Sequence, residues 1–270
     1  MTDIRICPVC GEKLNSSPKG LFCSRGHSFD RAKEGYVNLL GGSKKGSLRG
    51  DSREMALSRR AFLNRGYYAH LAAGVASALP DQGGSLLDIC CGEGYYTEQL
   101  SAARPEYKFF GFDISKEMVR LAAKRRCAAE FFVANLGSIP VEEGSVDAAI
   151  HLFAPFNAPE FARVLKKDGV LLSVVPGRDH LMGLKQVLYE KPYPNDEAEP
   201  DTRGLFTLTD KLRVKKTVTL TSAEDIGTLF QMTPYYFKTG VSGAEKLKEL
   251  STLETETDFI ILVYRKGEKI

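Results

Sequence analysis

Residues 86–94 read Leu86-Leu87-Asp88-Ile89-Cys90-Cys91-Gly92-Glu93-Gly94, an apolar run that closes on an acid and then a glycine-bearing bend. Twenty-five positions after Asp88 a second acid, Asp113, ends another apolar run, Phe109-Phe110-Gly111-Phe112. Strand, tight turn, helix and acidic strand end, in that order, is how an open α/β sheet holds a nucleoside at the carboxyl ends of its strands. Working outward, apolar runs and their punctuation predict strands at 85–90, 107–113, 130–134, 146–152 and 169–175. Helices are expected at 95–103, 115–125 with Ser115 as N-cap, 158–165 and 179–188. Two helices precede this block, one starting at Ser52 and one over roughly 68–79. A Pro/Asp/Glu-rich acidic loop at 191–210 follows it. Then come a strand at 213–220, helices at 222–231 and 242–250, and a closing strand at 259–265, the last two strands pairing at one edge. The prediction is an α/β fold: a seven-stranded, doubly wound, Rossmann-like sheet, mostly parallel, with helices on both faces.

The glycine bend could receive NAD or S-adenosylmethionine. A dinucleotide site uses Gly-x-Gly-x-x-Gly at a helix N-terminus to bind pyrophosphate. Here Gly92-Glu93-Gly94 lacks the third glycine, because position 97 is Thr, and Glu93 in the bend would repel a pyrophosphate. S-adenosylmethionine carries a sulfonium and an ammonium and no phosphate, so Asp88, Glu93 and the Gly92 and Gly94 backbone suit it better. Asp113 is placed to accept hydrogen bonds from ribose hydroxyls, and Asn135, just past the third strand, to sit against adenine. Singly, Asp88 could be a strand-end cap and Asp113 a turn acid before Ser115. Both together, at this spacing, favour the ligand.

Ahead of this domain, Cys7-Pro8-Val9-Cys10 is followed after twelve residues by Cys23, and after three more by His27. Cys-x2-Cys and Cys-x3-His on two tight turns supply the four ligands of a tetrahedral structural Zn2+. A redox Cys-x-x-Cys would call for a βαβ setting that is missing here. So small a module cannot bury enough core alone, so metal binding is expected to provide its stability. Loss of the metal should then unfold the first ~40 residues and spare the α/β domain. The division is a zinc-binding RNA-recognition module at 1–40, a flexible basic linker at 41–51 and a catalytic domain at 52–270.

Charge supports a polyanionic partner. Residues 1–70 hold 13 Lys/Arg and 6 Asp/Glu, a surplus of +7, while residues 71–270 hold 24 and 28, giving the overall +3. A basic stretch concentrated at one end fits nucleic acid, although a solvated basic face gives the same count. Six cysteines with an adjacent pair do not form a disulfide framework, and reduced thiols are expected. No apolar stretch is long enough for a bilayer and no signal-peptide core is visible, so no membrane association and a cytoplasmic location are expected.

The acceptor should approach from the loop after the fourth strand, His151-Leu-Phe-Ala-Pro-Phe156. Phe153, Pro155 and Phe156 offer flat apolar surfaces on which an extruded base could stack, or the phenylalanines could pack in the core. His180, at the start of the helix after the fifth strand, lies at the same crevice edge and could be a ligand or a structural histidine. Methyl transfer to a protonated ring nitrogen also needs a proton acceptor, which the sequence does not name.

These residues resemble the bacterial 23S rRNA (guanine-N1)-methyltransferase family, RlmA type. The resemblance runs through Cys7, Cys10, Cys23 and His27, then Phe29-Asp-x-Ala-Lys-Glu-Gly-Tyr-Val-Asn-Leu-Leu40. It continues through Gly50-Asp-Ser52, Arg59-Arg-Ala-Phe-Leu63, Gly92-Glu-Gly-Tyr-Tyr-Thr97, Phe153-Ala-Pro155, Arg178-x-His-Leu-Met182 and Gln231-Met-Thr-Pro234. It implies Zn2+ at the four N-terminal ligands and S-adenosylmethionine contacts from Tyr68, Gly92, Glu93 and His180. It also implies methylation of guanine N1 in a 23S rRNA hairpin, with a homodimer as one way to form the RNA cleft. Members differ in which of two nearby guanines they modify, and some confer macrolide resistance. Two positions depart from the family: Cys90 stands where glycine is usual, crowding the bend with a Cβ, and Phe156 replaces a smaller residue. The competing readings are a methyltransferase acting on a small molecule or protein, and a non-catalytic RNA-binding or ribosome-assembly factor that retains the fold.

Overall fold

The computed structural model describes residues 3–40 and 53–267. The basic linker expected at 41–51 and the helix start expected at Ser52 lie outside the described residues. The N-terminal module carries β1 (Asn15–Ser17), β2 (Gly20–Phe22), β3 (Ser28–Asp30) and β4 (Val37–Asn38). Helices α1 (Arg53–Asn64) and α2 (Ala69–Ala78) then lead into β5 (Gly84–Ile89), α3 (Tyr95–Ala103), β6 (Tyr107–Asp113), α4 (Lys116–Ala123) and β7 (Ala129–Val133). The second half of the sheet follows as β8 (Val146–Leu152), α5 (Ala158–Val164), β9 (Leu165–Pro176) and α6 (Met182–Leu188). The chain closes with β10 (Phe206–Leu220), α7 (Ala223–Gln231), α8 (Tyr235–Lys238), α9 (Val241–Lys248) and β11 (Leu253–Lys266).

The main sheet runs β10-β11-β9-β8-β5-β6-β7-β4. Strands β9, β8, β5, β6, β7 and β4 are parallel, and β11 and β10 are antiparallel additions at one edge. All seven expected strands are present, and an eighth, β4, comes from the N-terminal module. Two residues are too short a segment to show a period, so nothing in the sequence marked β4 as a strand. The edge ribbon is also longer than expected. In β10 most side chains alternate between half-buried and exposed and many are Lys, Thr or Asp, which reads as loop until β11 pairs with it from Leu253 to Lys266. Ser115 and Ser222 cap their helices as such residues do, accepting from Met118 N at 3.4 Å and Asp225 N at 3.1 Å.

Strand β5 is buried from Ser85 to Ile89 because both faces of the sheet are covered. Successive side chains point to opposite faces. Leu86 joins a core with α2, α6 and α7, while Leu87 and Ile89 join a second core with α5. That second core also contains Ile4, Leu14, Leu21, Val37 and Leu39 from the N-terminal module. Backbone bonds stitch the same contact: Ile6 N to Pro140 O at 3.0 Å, Glu142 N to Ile4 O at 2.8 Å, and Leu39 N to Val133 O at 2.9 Å. Arg5 is buried there and paired with Asp3 and Glu130. The module is thus a layer of the sheet's own core, contrary to the expectation that it could unfold alone. No helix among the described residues is long and apolar enough to cross a membrane.

Candidate active site and metal centre

The four ligand atoms of Cys7, Cys10, Cys23 and His27 lie within 4.8 Å of one another. Cys10 Sγ is 3.7 Å from Cys23 Sγ, and His27 Nδ1 is 3.6 Å from Cys7 Sγ and 3.4 Å from Cys23 Sγ. A tetrahedral Zn2+ with its ordinary bond lengths sets ligand–ligand edges of roughly 3.4–3.8 Å, so the donors fit that ion. Backbone turns aim them: Gly11 N bonds Cys7 O at 2.8 Å and Gly26 N bonds Cys23 O at 3.1 Å, both glycines having positive φ. Four protein donors would complete a tetrahedral coordination, so the Zn2+ they would hold is structural and would leave no open position for catalysis. All six cysteines are free of disulfides.

A cavity of about 880 Å³ opens at the carboxyl ends of β5, β6, β8 and β9. Of the residues expected there, Tyr68, Asp88, Gly92, Glu93, Asp113, Phe153, Pro155 and His180 line it. On its β5–β6 side, Asp88 is buried and accepts from Thr97 Oγ1 at 2.5 Å. Burial pushes its carboxyl up to about 7; the Thr97 bond opposes this and the charge of Asp113 adds to it. Asp113 closes the bend by accepting from Gly92 N at 3.1 Å and Ser115 N at 2.8 Å. Glu93 does not stand open to a cation as its place in the bend suggested. Arg125, from beyond α4, donates Nε to its Oε2 at 2.9 Å and forms a buried ion pair with it, leaving Oε1 without a partner. The Tyr96 hydroxyl is likewise buried and unpartnered. Two orphaned polar atoms in the wall of a cavity are what a polar ligand would satisfy.

The bend is strained at Cys90. Cys90 has φ +59, and Phe153 and Leu181, which also line the cavity, have φ +56 and +58. Three of the five non-glycine residues with positive φ among the described residues therefore ring one site. Each costs on the order of 1–3 kcal/mol and persists only where packing enforces it, a pattern common at ligand sites.

On the β8–β9 side, Phe153 is 48% exposed, with its ring 5.6 Å from that of Phe259. Phe156, by contrast, packs edge-on against Phe161 at 5.0 Å and His151 at 5.5 Å and does not line the cavity. The extra bulk at 156 fills core. His151 positions the loop: its Nδ1 is 3.1 Å from Ser173 Oγ and its Nε2 3.2 Å from Pro155 O. Only an Nε2 proton satisfies the carbonyl, so Nδ1 accepts from the serine, and burial lowers the pKa to about 4, keeping the ring neutral. His180 accepts from Asp258 N on Nδ1 at 3.2 Å, and burial lowers it to about 3, so the neutral ring carries its proton on Nε2.

Two expected contacts fall elsewhere. Asn135 spends its Oδ1 on Gly137 N at 2.9 Å, in a turn closed by its bridge to Ser138, and is not among the lining residues. Gly94, at φ +83, lies outside the lining too; an added Cβ would meet Ala122 Cβ at 2.7 Å, so its glycine lets α4 pack close. Instead Ile114 and Met118 supply apolar wall beside Asp113, Arg59 supplies a cation, and residues 193–196 and 232–235 form the outer wall. No motif marks these. They come from helices and a loop whose approach to the cavity is set by packing, and Tyr193–Asp196 belong to the stretch read as an acidic loop.

Fold and cavity define an S-adenosylmethionine-dependent methyltransferase of the Rossmann-like kind, carrying a zinc ribbon. Residues 6–48 match the family described as "RlmA, N-terminal", and residues 86–169 a methyltransferase domain family. The chain is 30% identical, over 96% of each sequence, to the protein of Bacillus subtilis (strain 168) named "Putative 23S rRNA (guanine-N(1)-)-methyltransferase YxjB". It is 36% identical to the 23S rRNA (guanine(748)-N(1))-methyltransferase of Streptomyces fradiae, over 67% of this chain and 66% of that one. Among solved structures, a chain from the Haloferax volcanii complex of the Trm112 methyltransferase activator with a methyltransferase superposes with a TM-score of 0.52. That match has 18% identity, covers 82% of this chain and 100% of that one, and speaks to fold alone. The chain belongs to the RlmA-type 23S rRNA (guanine-N1)-methyltransferase family.

Proposed function

We infer that this protein transfers a methyl group from S-adenosylmethionine to N1 of a guanine in a hairpin of 23S rRNA. The observation that carries this reading is one continuous cavity joining the acid-lined bend of β5 and β6 to the Phe153-Ala-Pro155 loop, in a chain of this family. When bound, the donor supplies an electrophilic methyl on a sulfonium. Asp113 would hold the ribose hydroxyls, with Ile114 and Met118 against the adenine. The orphaned Glu93 Oε1 and Tyr96 hydroxyl, with Arg59, suit the ammonium and carboxylate of the methionine end. Tyr68 and His180 would close the far wall. Phe153, held by the His151–Pro155 bond, presents a ring face on which an extruded base can stack and exclude water. The zinc ribbon and the basic N-terminal stretch would engage the hairpin backbone. A ribosomal substrate is in keeping with a cytoplasmic location, and sedimentation with and without RNA would read out a dimer. Reverse transcription of 23S rRNA from cells with and without the gene tests the function, because an N1-methyl blocks the pairing edge. A gene-dependent stop at a guanine is expected; identical profiles would refute it.

A further inference from the structure

Methylation of guanine N1 requires that the ring nitrogen lose its hydrogen, and the proton must have somewhere to go. Four carboxylates line the cavity: Asp88, Glu93, Asp113 and Asp196. Three are committed. Asp88 accepts from Thr97, Glu93 is paired with Arg125, and Asp113 accepts two backbone N–H groups. They also lie at the ends of β5 and β6, the donor side of the sheet. His180, which lines the cavity, and His151, which sits behind the Phe153 loop, are both neutral, each accepting a hydrogen bond at Nδ1 with Nε2 protonated. Asp196 differs in both respects. Among the described residues no group donates a hydrogen bond to it, and its loop is tied to Gly177, Arg178 and His180 just beyond β9, lining the same cavity as Phe153.

Its backbone is nevertheless held. Asn195 N donates to Arg178 O at 2.9 Å, and Asn195 Nδ2 donates to Gly177 O at 3.0 Å and His180 O at 2.9 Å. The buried Lys185 donates Nζ to Asn195 Oδ1 at 2.7 Å and to Tyr193 O at 2.9 Å. On the other flank, Glu197 accepts from Arg178 N at 2.6 Å and pairs with Arg213 at 3.4 Å. An exposed carboxylate with no partner among the described residues, fixed between two anchored neighbours at the cavity mouth, is a preorganised proton acceptor with access to water.

We propose that Asp196 is the general base that takes the N1 proton; this rests on the function inferred above. The N1–H bond breaks toward the carboxylate, the N1–CH3 bond forms as the S–CH3 bond breaks, and the protonated acid then releases its proton to water. A sulfonium and a carboxylate become a thioether and a carboxylic acid, so charge and atoms balance. The same carboxylate can accept from the guanine 2-amino group, which would make the base recognised as well as deprotonated.

The test compares wild type with Asp196→Asn and Asp196→Glu, using a 23S rRNA hairpin transcript. Asp196→Asn should slow single-turnover methylation by about 10²–10⁴-fold near neutral pH, and the deficit should shrink as alkaline pH ionises the guanine itself. Asp196→Glu should recover part of the rate. Without donor, wild type should bind the guanine hairpin roughly tenfold more tightly than one with adenine at the target, and Asp196→Asn should lose that preference. An unchanged rate, a deficit constant with pH, or retained guanine preference would overturn the base role. If wild type itself makes no N1-methylguanine, the function falls and this inference with it; if only the variant comparison fails, the function stands.

Discussion

Removal of the structural metal should destabilise the whole molecule. Val37 and Leu39 are buried to 0% and 2% exposure against β7 and its neighbours, and Ile4, Leu14 and Leu21 lie in the same core. Each such side chain contributes about 1.5–3 kcal/mol by burial, so releasing Val37 and Leu39 alone costs about 3–6 kcal/mol, a large share of a typical 5–15 kcal/mol stability. Its departure also bares the β7 edge and the Phe110, Phe112 and Phe132 surface that shares this core. For a chain of this size the loss corresponds to a fall in Tm of roughly 10 °C or more. Calorimetry of Cys23→Ala, or of chelator-treated protein, should show one transition moved downward. Hydrogen exchange should accelerate in residues 129–134 as well as in the first 40. An α/β transition at unchanged temperature, with protection of β7 retained, would refute the shared-core argument.

Other expectations can be checked directly. Asp113→Ala should weaken S-adenosylmethionine binding by about 1.5–3 kcal/mol through lost charge-assisted hydrogen bonds, measured by calorimetry; an unchanged Kd rejects the ribose assignment. Cys90→Gly should relieve the left-handed strain at φ +59 and raise stability by about 1 kcal/mol in denaturant titration; a loss of stability would show that the thiol's packing outweighs the strain. His151 has a folded pKa of about 4, below the unfolded 6.5, so the unfolded chain takes up the proton first as pH falls. Its stabilising effect is full above pH 6.5 and declines as pH drops toward 4, by about 3 kcal/mol in all. His151→Gln should remove about 1.4 kcal/mol per pH unit from the acid slope of unfolding free energy; an unaltered slope would place the titration elsewhere.

The order of strands, the glycine bend, the two acids and the four metal ligands were legible in the chain because each depends on local pattern: period, turn chemistry or ligand spacing. Gly94 was read correctly as special but for the wrong partner, since only the packed structure shows α4 pressing against it. Asn135 holds its Oδ1 in an Asx-turn and is not among the cavity's lining residues, a local bond settled by backbone geometry that the sequence pattern does not show. Phe153 and Phe156 look equivalent in sequence; a positive φ at 153 turns one toward the cavity while the other joins Phe161.

By itself, then, the sequence determined the fold class, the zinc ribbon and the acid-lined bend at the ends of β5 and β6, all of which are written in contiguous or regularly spaced residues. Tertiary structure alone decided the rest. Arg125 neutralises Glu93 across 32 positions of chain, and β4 of the N-terminal module pairs with β7 at the edge of the main sheet. These are contacts between segments remote in sequence, and only the burial of shared apolar surface brings them together.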